Sequence, residues 1–235
     1  MGPVLIFLAV IAVIVVWWAV YHRIGSKPWT EIGWAGAAYG DDAPRAPPAK
    51  IGLGVFLAVV GALFALLTSA YLMRMDGSDW WSLPVPPILW VNTLVLLGSS
   101  AALHLASLAA RRGEDEAMRT ALVTGFVTGV AFLVGQLFAW RQLVDEGYLL
   151  AGNPANSFFY MITGLHGLHI VGGLVGLTRT TRNAYHEGVP RKKVRLGVEL
   201  CATYWHFMLL VWLLLLALFT GYANDLVDIC RQLFT

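Results

Sequence analysis

Charge is scarce in this chain. Only 13% of its 235 residues are Asp, Glu, Lys or Arg, against about 25% in a soluble globular domain. With 58% hydrophobic residues and a mean hydropathy of +0.67, that shortage excludes the soluble class, because a buried core alone does not demand so few charges. Cysteine is nearly absent. Cys201 lies in an apolar run and Cys230 near the C-terminus, with neither the spacing of a disulfide framework nor that of a zinc site, so both are read as structural. The net charge of +2 is small, and no nucleic-acid partner is expected. No Asp or Glu stands near the middle of any long apolar run, and no internal repeat or broken helix interrupts those runs, which argues against a transporter.

What is present is length. A spanning helix needs about 20 mostly apolar residues, and six stretches qualify, at 3–21, 51–73, 88–110, 118–140, 156–178 and 199–221. Their hydrophobicity is continuous rather than alternating, so the fold class expected is all-α: a polytopic transmembrane helical bundle of six spans, since only helices and closed barrels satisfy their backbone in lipid. Basic residues set the orientation. Arg23, Lys27, Arg45 and Lys50 follow the first span, Arg111, Arg112 and Arg119 the third, and Arg179, Arg182, Arg191, Lys192, Lys193 and Arg195 the fifth. Only Arg74, Arg141 and Arg231 fall on the other side. The positive-inside rule then puts those three loops in the cytoplasm and both termini outside. The first run has no basic residue before it, no small-x-small cleavage pattern and positive charge after it, so an N-out anchor is expected rather than a removed leader. Trp17, Trp18, Trp80, Trp81, Trp90 and Trp140 fall at span ends and read as interfacial anchors.

The expected organisation is an anchor helix over 1–22, a cytoplasmic linker over 23–50, a five-helix bundle over 51–222 and an outer amphipathic tail over 223–235. The linker mixes Gly, Pro, Trp and charge and ends in APRAPP. The tail places Leu226, Ile229, Cys230 and Leu233 at helical spacing between Asp225, Asp228 and Arg231.

Ionisable groups at membrane depth are functional candidates by default. Here they are His104 in the third span, His166 and His169 in the fifth and His206 in the sixth, with Glu199 at the inner edge of the sixth. Counted from the outer ends, His104, His169 and His206 lie roughly 20–24 Å in, on three helices. Two readings are open: ligands for a haem or metal, or packed imidazoles that hydrogen-bond across helices or to lipid headgroups. No Cys, Asp or Glu accompanies them at that depth. Glu199 is either a solvated interfacial acid or a partner of Arg195. Two small-xxx-small pairs, Gly125 with Gly129 and Gly172 with Gly176, are expected at helix contacts, making the fifth span a packed central element.

The polar motifs carry a resemblance. LPVPPILWVNTLVLLGSS at 83–100, FFYMITGLHGLHIVGG at 158–173 and TYWHFMLLVW at 203–212 resemble, in that order along the chain, the signature helices of subunit III of haem-copper oxidases of the cytochrome c oxidase type. The likeness covers about 51–222. Many members have seven spans; this chain has the last five plus one unlike N-terminal helix. Many carry a carboxylate in the helix equivalent to the second span, but 57–69 contains none, and Met208-Leu209 stands where members often have Val-Asp. The departures mark a divergent bacterial branch in a bacterial inner membrane. The resemblance implies a non-catalytic subunit that binds no haem and no copper. Those lie in partner subunits I and II. It packs on subunit I, holds phospholipid and supports proton uptake, proton translocation and enzyme lifetime. It makes His104, His166, His169, His206, Glu199, Tyr204 and Trp205 structural or lipid-binding polar groups, with no catalytic residue. A subunit III-like partner of a nitric oxide reductase or of a quinol oxidase, and a membrane cytochrome ligated by His104, His169 and His206, are the alternatives. A respiratory supercomplex and the electron donor are left open.

Overall fold

The computed structural model describes residues 47–221 apart from 76 and 82. Within them lie five long helices: α1 (Pro48–Arg74), α2 (Ile88–Arg112), α3 (Asp115–Asp145), α4 (Pro154–Tyr185) and α5 (Arg191–Phe219). Each is long and apolar enough to cross a membrane. All outrun the apolar windows read from hydropathy except at the start of α2 and the end of α5, because helical hydrogen bonding continues into the polar interface. The first span, the linker and the outer tail lie outside the described residues.

Local chemistry fixes the helix ends. Pro48 and Pro154 open α1 and α4, where the missing N–H costs nothing. Asn153 caps α4 by accepting from Ala155 N at 3.1 Å. Gly113, at φ 79°, turns the chain out of α2, a left-handed conformation that favours glycine. Asp115 and Glu116 sit in the first turn of α3, where carboxylates oppose the helix dipole favourably.

The helices alternate in direction, and contacts between loops mark the two ends. At one end Asn153 Nδ2 donates to Trp81 O at 2.7 Å. At the other, Arg191 pairs with Asp115 at 2.8 Å, and Arg119 Nε donates to Ala184 O at 2.9 Å while its guanidinium lies over the Tyr185 ring. The second end, which also holds the start of α1, carries Lys50, Arg111, Arg112, Arg119, Arg191, Lys192, Lys193 and Arg195. The first carries Arg74 and Arg141.

The main core joins α2, α3, α4 and α5 around the buried side chains of Leu96, Leu103, Phe132, Phe159, Trp205 and Trp212. A second cluster attaches α1 through Val60, Phe64 and Tyr71 to Ile162, Val211, Leu215 and Leu218. Those three are the only buried residues of α1. A helix hydrophobic all round but buried along one stripe is built for apolar surroundings on its other faces, and outward residues such as Leu66 and Leu94, about 70% exposed, extend that apolar surface.

Candidate functional site: a polar seam between the helices

The polar residues of α2 form one system. Asn92 Nδ2 donates to Phe132 O at 3.3 Å, and Ser99 Oγ donates to Gly125 O at 2.8 Å. Both tie α2 to the backbone of α3. Thr93 donates to Leu89 O at 2.8 Å and accepts from Trp212 Nε1 at 2.9 Å. Ser100 Oγ meets His206 Nδ1 at 2.5 Å. Residues 92–93 and 99–100 are seven apart, two turns of helix, so both pairs face α3 and α5. In an apolar medium such bonds hold helices in register because an unsatisfied polar group has no water to turn to. Gly135 lies against the Asn92 amide, leaving no room for a Cβ.

The four histidines separate into three environments. His166 is fully buried, donates from Nε2 to Met208 O at 3.1 Å, and packs against Phe132 and Trp212. His169 donates from Nδ1 to Leu165 O of its own helix at 2.7 Å and faces Phe64 of α1. His104 and His206 meet on the exposed side of α2 and α5, with Nδ1 of the first 3.4 Å from Nε2 of the second and ring centroids 5.5 Å apart. Similar depth left a meeting of His104, His169 and His206 open, but His169 turns to Phe64 of α1 and only His104 and His206 meet. These two imidazoles bond directly to each other. Among the described residues no group of three or more His, Cys, Asp and Glu could hold a metal ion.

Glu199 is a hub. Its carboxylate meets Lys50 of α1 at 2.8 Å, Arg111 of α2 at 3.3 Å and Arg195 of its own helix at 3.4 Å. Only the Arg195 pair, one turn away, is visible as a sequence spacing. Tyr204 donates to His169 O at 2.7 Å, and Trp205 is wholly buried. Cys201 is a free thiol 3.4 Å from Thr180 Oγ1; Cys230 lies outside the described residues.

The glycines divide. A Cβ on Gly125 would come 2.8 Å from Leu103, and one on Gly129 2.9 Å from Trp205, so both stand at tight helix contacts. Gly172 and Gly176 are exposed with nothing within 4 Å of a Cβ, which corrects their place as packing residues within this chain. The close approach on α4 is made by Gly173, where a Cβ would meet Tyr204 at 2.6 Å and Trp205 at 2.8 Å. The expected centrality of α4 is likewise shared: α2 and α5 bury polar and aromatic residues along most of their length. Asn92, Thr93, Ser99, Ser100, Gly173 and Trp212 lie in the motifs that carry the family resemblance but are given no structural role there. The two polar pairs of α2 repeat at two turns of helix inside an apolar span, a signal of one shared face.

The family described as cytochrome c oxidase subunit III matches residues 55–223. Cytochrome c oxidase subunit 3 of Thermostichus vulcanus is 31% identical over 175 residues, 72% of this chain and 84% of that protein. A probable cytochrome c oxidase subunit 3 of Mycobacterium bovis is 33% identical over 165 residues, 67% of this chain and 76% of the relative. Cytochrome bo(3) ubiquinol oxidase subunit 3 of Pseudomonas aeruginosa is 28% identical over 159 residues, 68% and 74% of the two chains. The described helices span nearly all of the matched region, and the chain belongs to the cytochrome c oxidase subunit III family.

Proposed function

We propose that this chain is the non-redox third subunit of a respiratory haem-copper terminal oxidase in a bacterial inner membrane, with the basic end of the bundle in the cytoplasm and haem and copper in partner subunits I and II. The observation that carries the reading is the use of the imidazoles. His166 and His206 each spend a ring nitrogen on an oxygen of a neighbouring helix, while His169 bonds to its own helix and packs against Phe64 of α1, a use that is cohesion within the bundle. The chain then braces subunit I and supports proton uptake and enzyme lifetime without touching electrons. Lys50, Arg111 and Arg195 leave two positive charges in excess around Glu199 at the basic end, which favours anionic phospholipid headgroups there. The likeness to a ubiquinol oxidase subunit 3 favours a second reading, a quinol-fed core. Purification through a tag on this chain tests both. The expected preparation contains a haem-copper core, and the core freed of this chain keeps its haem per molecule while losing activity during turnover. Oxidation of cytochrome c rather than quinol by the intact complex separates the two donors. A tagged chain that brings down no haem-copper protein overturns the reading.

A further inference from the structure

The outward stripe of α5 runs through Glu199, Thr203, His206 and Leu210 between two neighbours: Phe207 turns to Gly61 of α1 on one side, and His206 reaches Ser100 and His104 of α2 on the other. Its basic end is closed by Lys50 and Arg111 meeting on Glu199. His206 lies seven residues from Glu199 and His104 seven from Arg111, so both imidazoles stand about 10 Å further into the membrane than that ion cluster. At this depth His206 is satisfied at both nitrogens. His104 is not: its Nδ1 is engaged, its Nε2 has no partner among the described residues, and the side chain is exposed. A neutral imidazole donates at one nitrogen and accepts at the other. If His206 donates to His104, the free Nε2 carries a proton to donate; if the bond runs the other way, it is a free acceptor. Either way the chain of Ser100, His206 and His104 ends in one open hydrogen-bond position aimed out of the bundle. Ionisable groups at membrane depth face protein or a water-filled cavity rather than lipid.

We infer that this stripe of α5, flanked by α1 and α2, seats a transmembrane helix of a neighbouring polypeptide of the complex, which supplies a hydrogen-bonding group to His104 Nε2. A helix is the occupant because the surface is apolar above and below the imidazoles, with Leu97 and Leu210 exposed beside them, and because a headgroup belongs at the level of the ion cluster, not a further 10 Å or so inward. The inference rests on the accessory-subunit reading.

A benzophenone amino acid replacing Leu210 in the intact complex tests it. Irradiation is expected to join this chain to a membrane span of a core subunit, identified by peptide mass. Adducts with lipid alone, with this chain's own 3–21 segment, or with nothing overturn the inference. His104→Leu is expected to lower the core recovered per tagged chain in stringent detergent about tenfold, and His104→Gln, which keeps a donor and an acceptor, to restore it. Equal recovery with Leu and Gln contradicts the inference. A chain that brings down no core defeats the accessory-subunit reading itself. A core that copurifies while Leu210 labels only lipid defeats the docking surface alone.

Discussion

Trp212 on α5 donates its indole N–H to the hydroxyl of Thr93 on α2 at 2.9 Å, in the buried centre of the bundle. The Thr93 hydroxyl in turn donates a hydrogen bond to Leu89 O, so one hydroxyl serves as the junction between two helices. Thr93→Val keeps the shape and removes the acceptor. The expected loss is about 1 kcal/mol, read as a lower thermal unfolding midpoint of the detergent-solubilised protein. Thr93→Ser keeps the hydroxyl and should lose less.

Adjacent glycines on α4 should respond in opposite ways. Gly173→Ala forces a methyl into the Tyr204 and Trp205 rings and is expected to cost about 1–3 kcal/mol through overpacking. Gly172→Ala and Gly176→Ala meet open space within the chain and should leave the unfolding midpoint of the solubilised protein unchanged or slightly raised. Equal damage at all three positions contradicts the assigned rotation of α4.

The Glu199 cluster should pin the start of α1. Glu199→Gln leaves Lys50, Arg111 and Arg195 without their common carboxylate. The cations are about half exposed, so solvent screening limits the loss to roughly 1 kcal/mol. Hydrogen exchange in the first turns of α1 should quicken in this variant. In the parent protein, exchange there should quicken with added salt.

At the opposite end, the Arg74 side chain donates to Asp79 at 2.5 Å. That hydrogen bond, with a backbone bond and the Arg74 charge, holds the Asp79 carboxyl below its usual 3.8. Because the folded-state value is depressed, the contact contributes above the ordinary carboxylate range and is lost as pH falls through the lowered value. A titration of the Asp79 carboxyl by NMR should show its midpoint below 3.8, and Arg74→Gln should raise it.

Hydropathy made the five described helices legible, because each long run must satisfy its backbone internally. Residue counting also placed His104 and His206 at one depth. Rotation about the helix axes was not legible. Gly172 and Gly173 differ by one residue, about 100° around the helix, and only packing against Tyr204 and Trp205 selects the second. His169 sits level with the other two histidines yet turns to Phe64 for the same reason. Lys50 and Arg111 were invisible as partners of Glu199 because they come from other helices, and no local spacing encodes such a meeting.

The central proposal is that His104, His166, His169 and His206 serve packing within the bundle and ligate no prosthetic group. Haem and metal analysis of the purified chain, separated from its complex, tests it most directly: absorbance of the reduced pyridine haemochrome together with iron and copper per polypeptide. The account predicts no haem spectrum and no stoichiometric metal, with His104→Leu, His169→Leu and His206→Leu complexes keeping the parent haem content per core. One haem or copper per chain, lost when those histidines are replaced, would contradict it.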